Sequence, residues 1–145
     1  MIKSIATAGA MPALELTMRF AGARQRVIAH NIANIDTPGF QPKDVDPRDF
    51  QRMLGDAVDA RRARSGGASG SLDWEETRQI KRAPGGSLRL EPLADTGNVL
   101  FHDRNNRDLE RTMQDLVENA GVYRVAADLL RSRMQIIQAA ISERV

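Results

Sequence analysis

A stretch of apolar residues near the end of the chain repeats with a regularity that few folds can use. Leu109, Met113, Leu116, Ala120, Tyr123, Ala127, Leu130, Met134, Ile137 and Ile141 follow one another in steps of four and three. More than four heptads of this pattern make a coiled-coil seam, which only a long helix laid against another helix satisfies. No proline follows Pro92, and Gly121 is the one glycine inside the pattern. The spacing predicts a helix from about Asp108 to Glu143, roughly 50 Å long. Asp108 stands where an N-cap is expected. A second apolar line, Val122, Ala126, Leu129, Ile136 and Ala140, runs beside the first. One partner helix cannot cover both.

The other end of the chain supplies a partner. Leu14, Met18, Ala21, Gln25, Ile28, Ile32 and Ile35 step in the same fours and threes, which predicts a helix from about Ala13 to Asn34. Gln25 is the single polar residue on that seam, a placement that sets register at some cost in stability. Asp36-Thr37-Pro38-Gly39 ends the helix, because Pro38 cannot continue it and Pro-Gly suits a type II turn.

Residues 37–107 read differently. Phe50 to Ala63 predicts one short helix, and Ser65 to Ser71 has the Gly/Ser composition of a flexible linker. Leu88 and Leu90 alternate with polar neighbours as in a short edge strand or hairpin, and Val99-Leu100-Phe101 suggests another extended piece. The expected fold class is mainly α: long N- and C-terminal helices paired as an antiparallel coiled-coil-like unit, with an irregular, partly disordered middle carrying at most short strands. The chain divides into an N-terminal helix (1–36), a middle (37–107) and a C-terminal helix (108–145), together one assembly domain. With aromatics at 4%, a thick aromatic core is not expected.

Chemistry is hard to find. The absence of cysteine excludes disulfides, thiolate metal sites and a thiol nucleophile. The two histidines, His30 and His102, form no metal-binding pair, and no phosphate-binding loop or nucleophile elbow occurs. Asp103, Asn105, Asn106 and Asp108 read as the turn that opens the C-terminal helix; a calcium loop would need a glycine and a distal Glu that are missing. The sequence predicts no catalytic residue, cofactor or metal, and no enzyme. The net charge of +2 is too small to imply nucleic acid. The one dense basic cluster, Arg61-Arg62-Ala63-Arg64, reads as a solvated helix end, because no stacking aromatics accompany it. No run of apolar residues is long enough to span a bilayer, and Pro12 and Glu15 interrupt any signal-peptide core. A two-helix unit of this size buries too little surface to stand alone, so other subunits are expected to complete it.

The segment Ala29-His30-Asn31-Ile32-Ala33-Asn34-Ile35-Asp36-Thr37-Pro38-Gly39-Phe40 resembles the Asn-Asn-x-Ala-Asn-x-x-Thr-x-Gly-Tyr/Phe signature at the N-terminus of bacterial flagellar rod, hook and filament-joining proteins. Its Asp-Thr-Pro-Gly form, with Lys43-Asp44-Val45-Asp46 and Phe50 after it, resembles the proximal rod members. His102 to Met113 is similar to that family's Asp-Gly-Asn-Asn-Val-Asp-Leu-Glu-x-Glu-Met block, and Asn119 and Tyr123 fall where the family has its Asn…Tyr pair. His30 replaces the first Asn of the signature, and Arg104, Arg107 and Thr112 replace Gly, Val and Glu.

The resemblance implies a structural component of the flagellar basal body rod, the periplasmic drive shaft, exported by the flagellar type III system without a cleaved signal peptide. Implied partners are copies of itself, other rod proteins (FlgC-like and neighbouring rod subunits), and a FliE-like adaptor with the MS ring or export gate at the rod base. Neither nucleic acid nor a membrane span is implied. Asn31, Asn34, Thr37, Pro38, Gly39, Val122, Leu129 and Ile136 are the expected assembly residues. Leu14, Met18, Ile28, Ile32, Leu116, Tyr123, Leu130, Met134 and Ile137 are the expected intramolecular seam. The amides of Asn31 and Asn34 are expected to bond a neighbouring subunit or the turn after the helix, with plain C-terminal capping as the alternative. The competing function is a small helical binding module such as a type III secretion adaptor or chaperone. Such proteins are usually acidic and lack a long Gly/Ser middle.

Overall fold

The computed structural model describes residues 9–67, 69–94 and 108–142. Three helices dominate: α1 (Met11–Ala33), α2 (Pro47–Ser65) and α3 (Leu109–Ser142). Four short strands, β1 (Lys43–Asp44), β2 (Ile80–Arg82), β3 (Leu88–Leu90) and β4 (Leu93–Ala94), pair antiparallel as β1 with β4 and β2 with β3. The terminal helices pack against each other and run antiparallel. Arg24 of α1 meets Asp115, Gln25 meets Asn119, and Gly22 lies beside the ring of Tyr123.

Local chemistry explains each boundary. α1 begins with Met11-Pro12, a proline in the first turn where its missing N–H costs nothing. Asp46 caps α2, its Oδ1 accepting from the Arg48 N–H at 2.9 Å, and Pro47 follows at the first helical position. Gly66, at φ 65°, closes α2 with its N–H on the carbonyl of Arg62 at 2.8 Å. Asp108 caps α3 as expected, its Oδ1 accepting from the Arg111 N–H at 3.0 Å. Leu88 and Leu90 lie on the expected hairpin. The expected extended piece at Val99–Phe101, the family block from His102 to Arg107, and Glu143 lie outside the described residues.

The middle contributes more to the interior than its sequence suggests. Leu16 and Phe20 of α1 join Val45, Phe50, Met53, Ala57, Trp74 and Ile80 in one buried cluster. Phe20 and Phe50 stack with ring centroids 4.0 Å apart, and Arg82 lies over the Trp74 ring. Three of the chain's six aromatics, Phe20, Phe50 and Trp74, therefore meet in this cluster. α1 is consequently buried on two faces, one toward α3 and the other toward the middle. Helical spacing sets this apart only in hindsight, since Leu16 and Phe20 lie off the 4-3 seam.

Candidate assembly interface

The helix pair is held by polar residues as much as by apolar ones. Asn119 is buried in α3, and its Nδ2 donates to the backbone carbonyl of Ala21 at 2.9 Å and to Gln25 Oε1 at 2.7 Å. The polar intruder of the α1 seam thus finds its partner on α3, next to the seam residue Ala120. Ala21 and Gly22 on α1 face Asn119 and Tyr123 on α3, and these small α1 residues allow the helices to approach closely. Ala126, expected on the outer line, is only 2% exposed. The contact face of α3 is rotated toward Asn119 and Ala126, because a tight approach selects the shorter side chains beside the shared positions Leu116, Tyr123, Leu130 and Ile137.

One turn away, Arg24 joins three elements. Its guanidinium donates to both carboxylate oxygens of Asp44, at 3.0 and 2.5 Å, and to Asp115 at 3.2 Å. Only 5% of the Arg24 side chain is exposed. Burial is the largest single influence and favours the neutral form. The carboxylates of Asp44 and then Asp115 together outweigh it, so the guanidinium is held more firmly protonated than an ordinary arginine.

The chain leaving α1 is held by two side-chain amides. Asn31 donates from Nδ2 to the Lys43 carbonyl at 2.7 Å and accepts from the Lys43 N–H at 3.2 Å. Gln79 repeats the device, donating to the Asp44 carbonyl and accepting from the Asp46 N–H, both at 3.1 Å. Asn34 turns back to the carbonyl of His30 at 2.8 Å, a C-terminal cap. Thr37, Pro38 and Gly39 form an exposed turn closed by the Phe40 N–H on the Thr37 carbonyl at 3.1 Å. Gly39 takes φ 75° there, as a type II turn requires.

Sequence reasoning missed Asp44, Gln79 and Arg61. Arg61 opens the basic cluster yet is buried, its guanidinium donating to the carbonyls of Gly9 at 2.6 Å and Ser69 at 3.4 Å. It is a clamp rather than part of a solvated helix end; Arg62 and Arg64 are the exposed members. Nothing in the composition of that cluster separates the three.

On the seam, Ile28 is buried and Leu14, Met18, Ile32, Leu116, Leu130 and Ile137 are half-buried, whereas Tyr123 and Met134 are 43 and 51% exposed. The outer face of α3 is open. Val122, Val125, Leu129 and Ile136 are between 48 and 60% exposed. Apart from Leu93, the large apolar side chains exposed among the described residues all lie on α3.

The family model described as "Flagella basal body rod protein" matches residues 18–41, which carry Arg24, Gln25, Asn31 and the turn at Thr37–Gly39. The flagellar basal body rod protein FlgB of Proteus mirabilis is 30% identical over 122 residues, covering 83% of this chain and 84% of the relative. The chain belongs to the flagellar basal body rod protein family. The FlgB protein of Borrelia hermsii is 33% identical over 102 residues, covering 69% of this chain and 71% of its own. That of Salmonella typhimurium is 28% identical over 112 residues, covering 77% and 78%. As a member of the rod family, the chain is a structural component of the flagellar basal body and acts with other rod components. No helix among the described residues is long and apolar enough to cross a membrane.

Proposed function

We propose that this rod protein builds the proximal part of the drive shaft, with the outer line of α3 as its main contact with neighbouring subunits. The observation that carries this reading is that, among the described residues, the exposed large apolar side chains other than Leu93 lie on α3. Exposed apolar side chains gathered on one helix mark a protein–protein surface. Val122, Leu129 and Ile136 form its centre.

Neighbours on this reading are copies of the same chain and other rod proteins, FlgC-like ones among them. A FliE-like adaptor with the MS ring or export gate meets the base. The protein reaches the periplasm through the flagellar type III apparatus, without cleavage of a signal. Thr37, Pro38 and Gly39 contribute an exposed turn at the end of α1 for a neighbour to contact. Asn31 and Asn34 support that turn from inside the chain. No observation favours a secretion chaperone.

The test is Leu129→Asp. The side chain is 50% exposed, so the helix content of the isolated chain should not change. Cells carrying the variant should export the protein and fail to swim. Normal swimming would refute the assignment of this face.

A further inference from the structure

α2 and the extended segment 73–77 border an open groove of about 760 Å³. Its α2 wall presents the exposed small side chains of Ala60 and Ala63 with Asp56 beside them, above the buried Met53 and Ala57. Glu75 stands on the opposite wall. Asp56 and Glu75 are both exposed, and neither has an ion pair among the described residues, unlike Asp49, Asp73 and Glu76, which meet Arg52, Arg82 and Lys81. The outer line of α3 has the converse character. Val122, Val125, Leu129 and Ile136 are apolar, and Arg133, one turn from Leu129 on the same line, is exposed without an ion pair among the described residues.

We infer that the α2 groove of one subunit receives the outer line of α3 from a second copy of this chain, with Arg133 of the incoming helix placed between Asp56 and Glu75. This inference rests on the rod reading above. Two further features favour it. The α2 wall from Asp49 to Arg64 is roughly 22 Å long and the α3 line from Val122 to Ile136 roughly 21 Å, so the two match along four turns. The exposed alanines at positions 60 and 63 leave room for a helix to approach closely, as small residues do in any tight helix packing. Arg133, Asp56 and Glu75 also gain partners of opposite sign, which fixes the register of the contact. Groove and ridge lie on different elements, so the contact is head-to-tail and propagates from copy to copy instead of closing on a pair.

The chain has no cysteine, which makes site-directed cross-linking direct. Full-length Ala60→Cys chains are mixed with differently tagged Ile136→Cys chains and treated with a short bis-maleimide. The mixed product should exceed either self-product at least tenfold. Asp56→Arg or Arg133→Asp alone should abolish it, with circular dichroism confirming an intact fold. Pairing Asp56→Arg groove chains with Arg133→Asp ridge chains should restore it. A missing mixed product, a product indifferent to charge reversal, or reaction of Ala60→Cys only with a different rod protein each overturns the assignment. Swimming separates the two levels: swimming Leu129→Asp cells refute the rod-contact reading itself, whereas non-swimming cells without the mixed cross-link refute only the groove.

Discussion

Asn119 and Gln25 meet across the helix pair, amide to amide at 2.7 Å, where the α1 seam turns polar. Gln25 interrupts the apolar line of α1, and the Asn119 amide supplies its oxygen with a donor. Asn119→Ala should destabilise the chain by about 1–3 kcal/mol, since Gln25 and the Ala21 carbonyl lose a buried donor. The double variant Gln25→Leu/Asn119→Leu should be more stable than Asn119→Ala and hold its helices in a less defined register. Urea denaturation and a double-mutant cycle measure the first effect. Broadened amide resonances along α1 and α3 report the second.

Arg24 makes a different kind of demand. Asp44→Ala leaves a buried guanidinium with only the longer contact to Asp115, and should cost about 3 kcal/mol. Asp115→Ala should cost less, about 1 kcal/mol, because the two bonds to Asp44 remain. Arg24→Met keeps the stem volume and removes the charge, and should be milder than Asp44→Ala. Chemical denaturation of the three variants checks the order; an equal cost for both aspartates would show that the hub is not centred on Asp44.

Asn31 and Asn34 separate on the same scale. Asn31→Ala strands the N–H and carbonyl of Lys43 and should cost about 1–3 kcal/mol. Asn34→Ala removes a half-exposed cap and should cost under about 1 kcal/mol. Thermal melts distinguish them. Comparable losses would argue that the Lys43 clasp is not the structural role of Asn31.

Glu76 supplies a pH signature. The backbone N–H of Arg82 donates to its carboxylate at 2.8 Å and, with Lys81, holds its pKa below the ordinary range. A folded-state pKa below the unfolded value means the contribution is present above about pH 4.5 and is lost as acid protonates the folded carboxylate. A carbon-detected titration should place Glu76 below the ordinary carboxylate range, and Glu76→Gln should remove the associated pH dependence of the β2–β3 hairpin.

The long terminal helices, their antiparallel partnership and the turn at Thr37–Gly39 were all legible in the chain. Each depends on local rules: a 4-3 repeat, a proline that stops a helix, a glycine that reaches positive φ. The Asp108 cap was legible for the same reason. Tertiary structure decided which of several sequence-equivalent residues turn inward. Ala126 and Ala127 are alike in composition, and only the close approach of α1 at Ala21–Gly22 buries the first more deeply. Arg61, Arg62 and Arg64 share one cluster, and only the position of the Gly9 and Ser69 carbonyls selects Arg61. The bonds of Asn31 to Lys43 and of Arg24 to Asp44 span 12 and 20 residues, and no periodicity encodes contacts of that kind. Secondary structure follows from interactions a few residues apart. The choice of buried polar partner depends on which backbone groups the finished packing leaves without water.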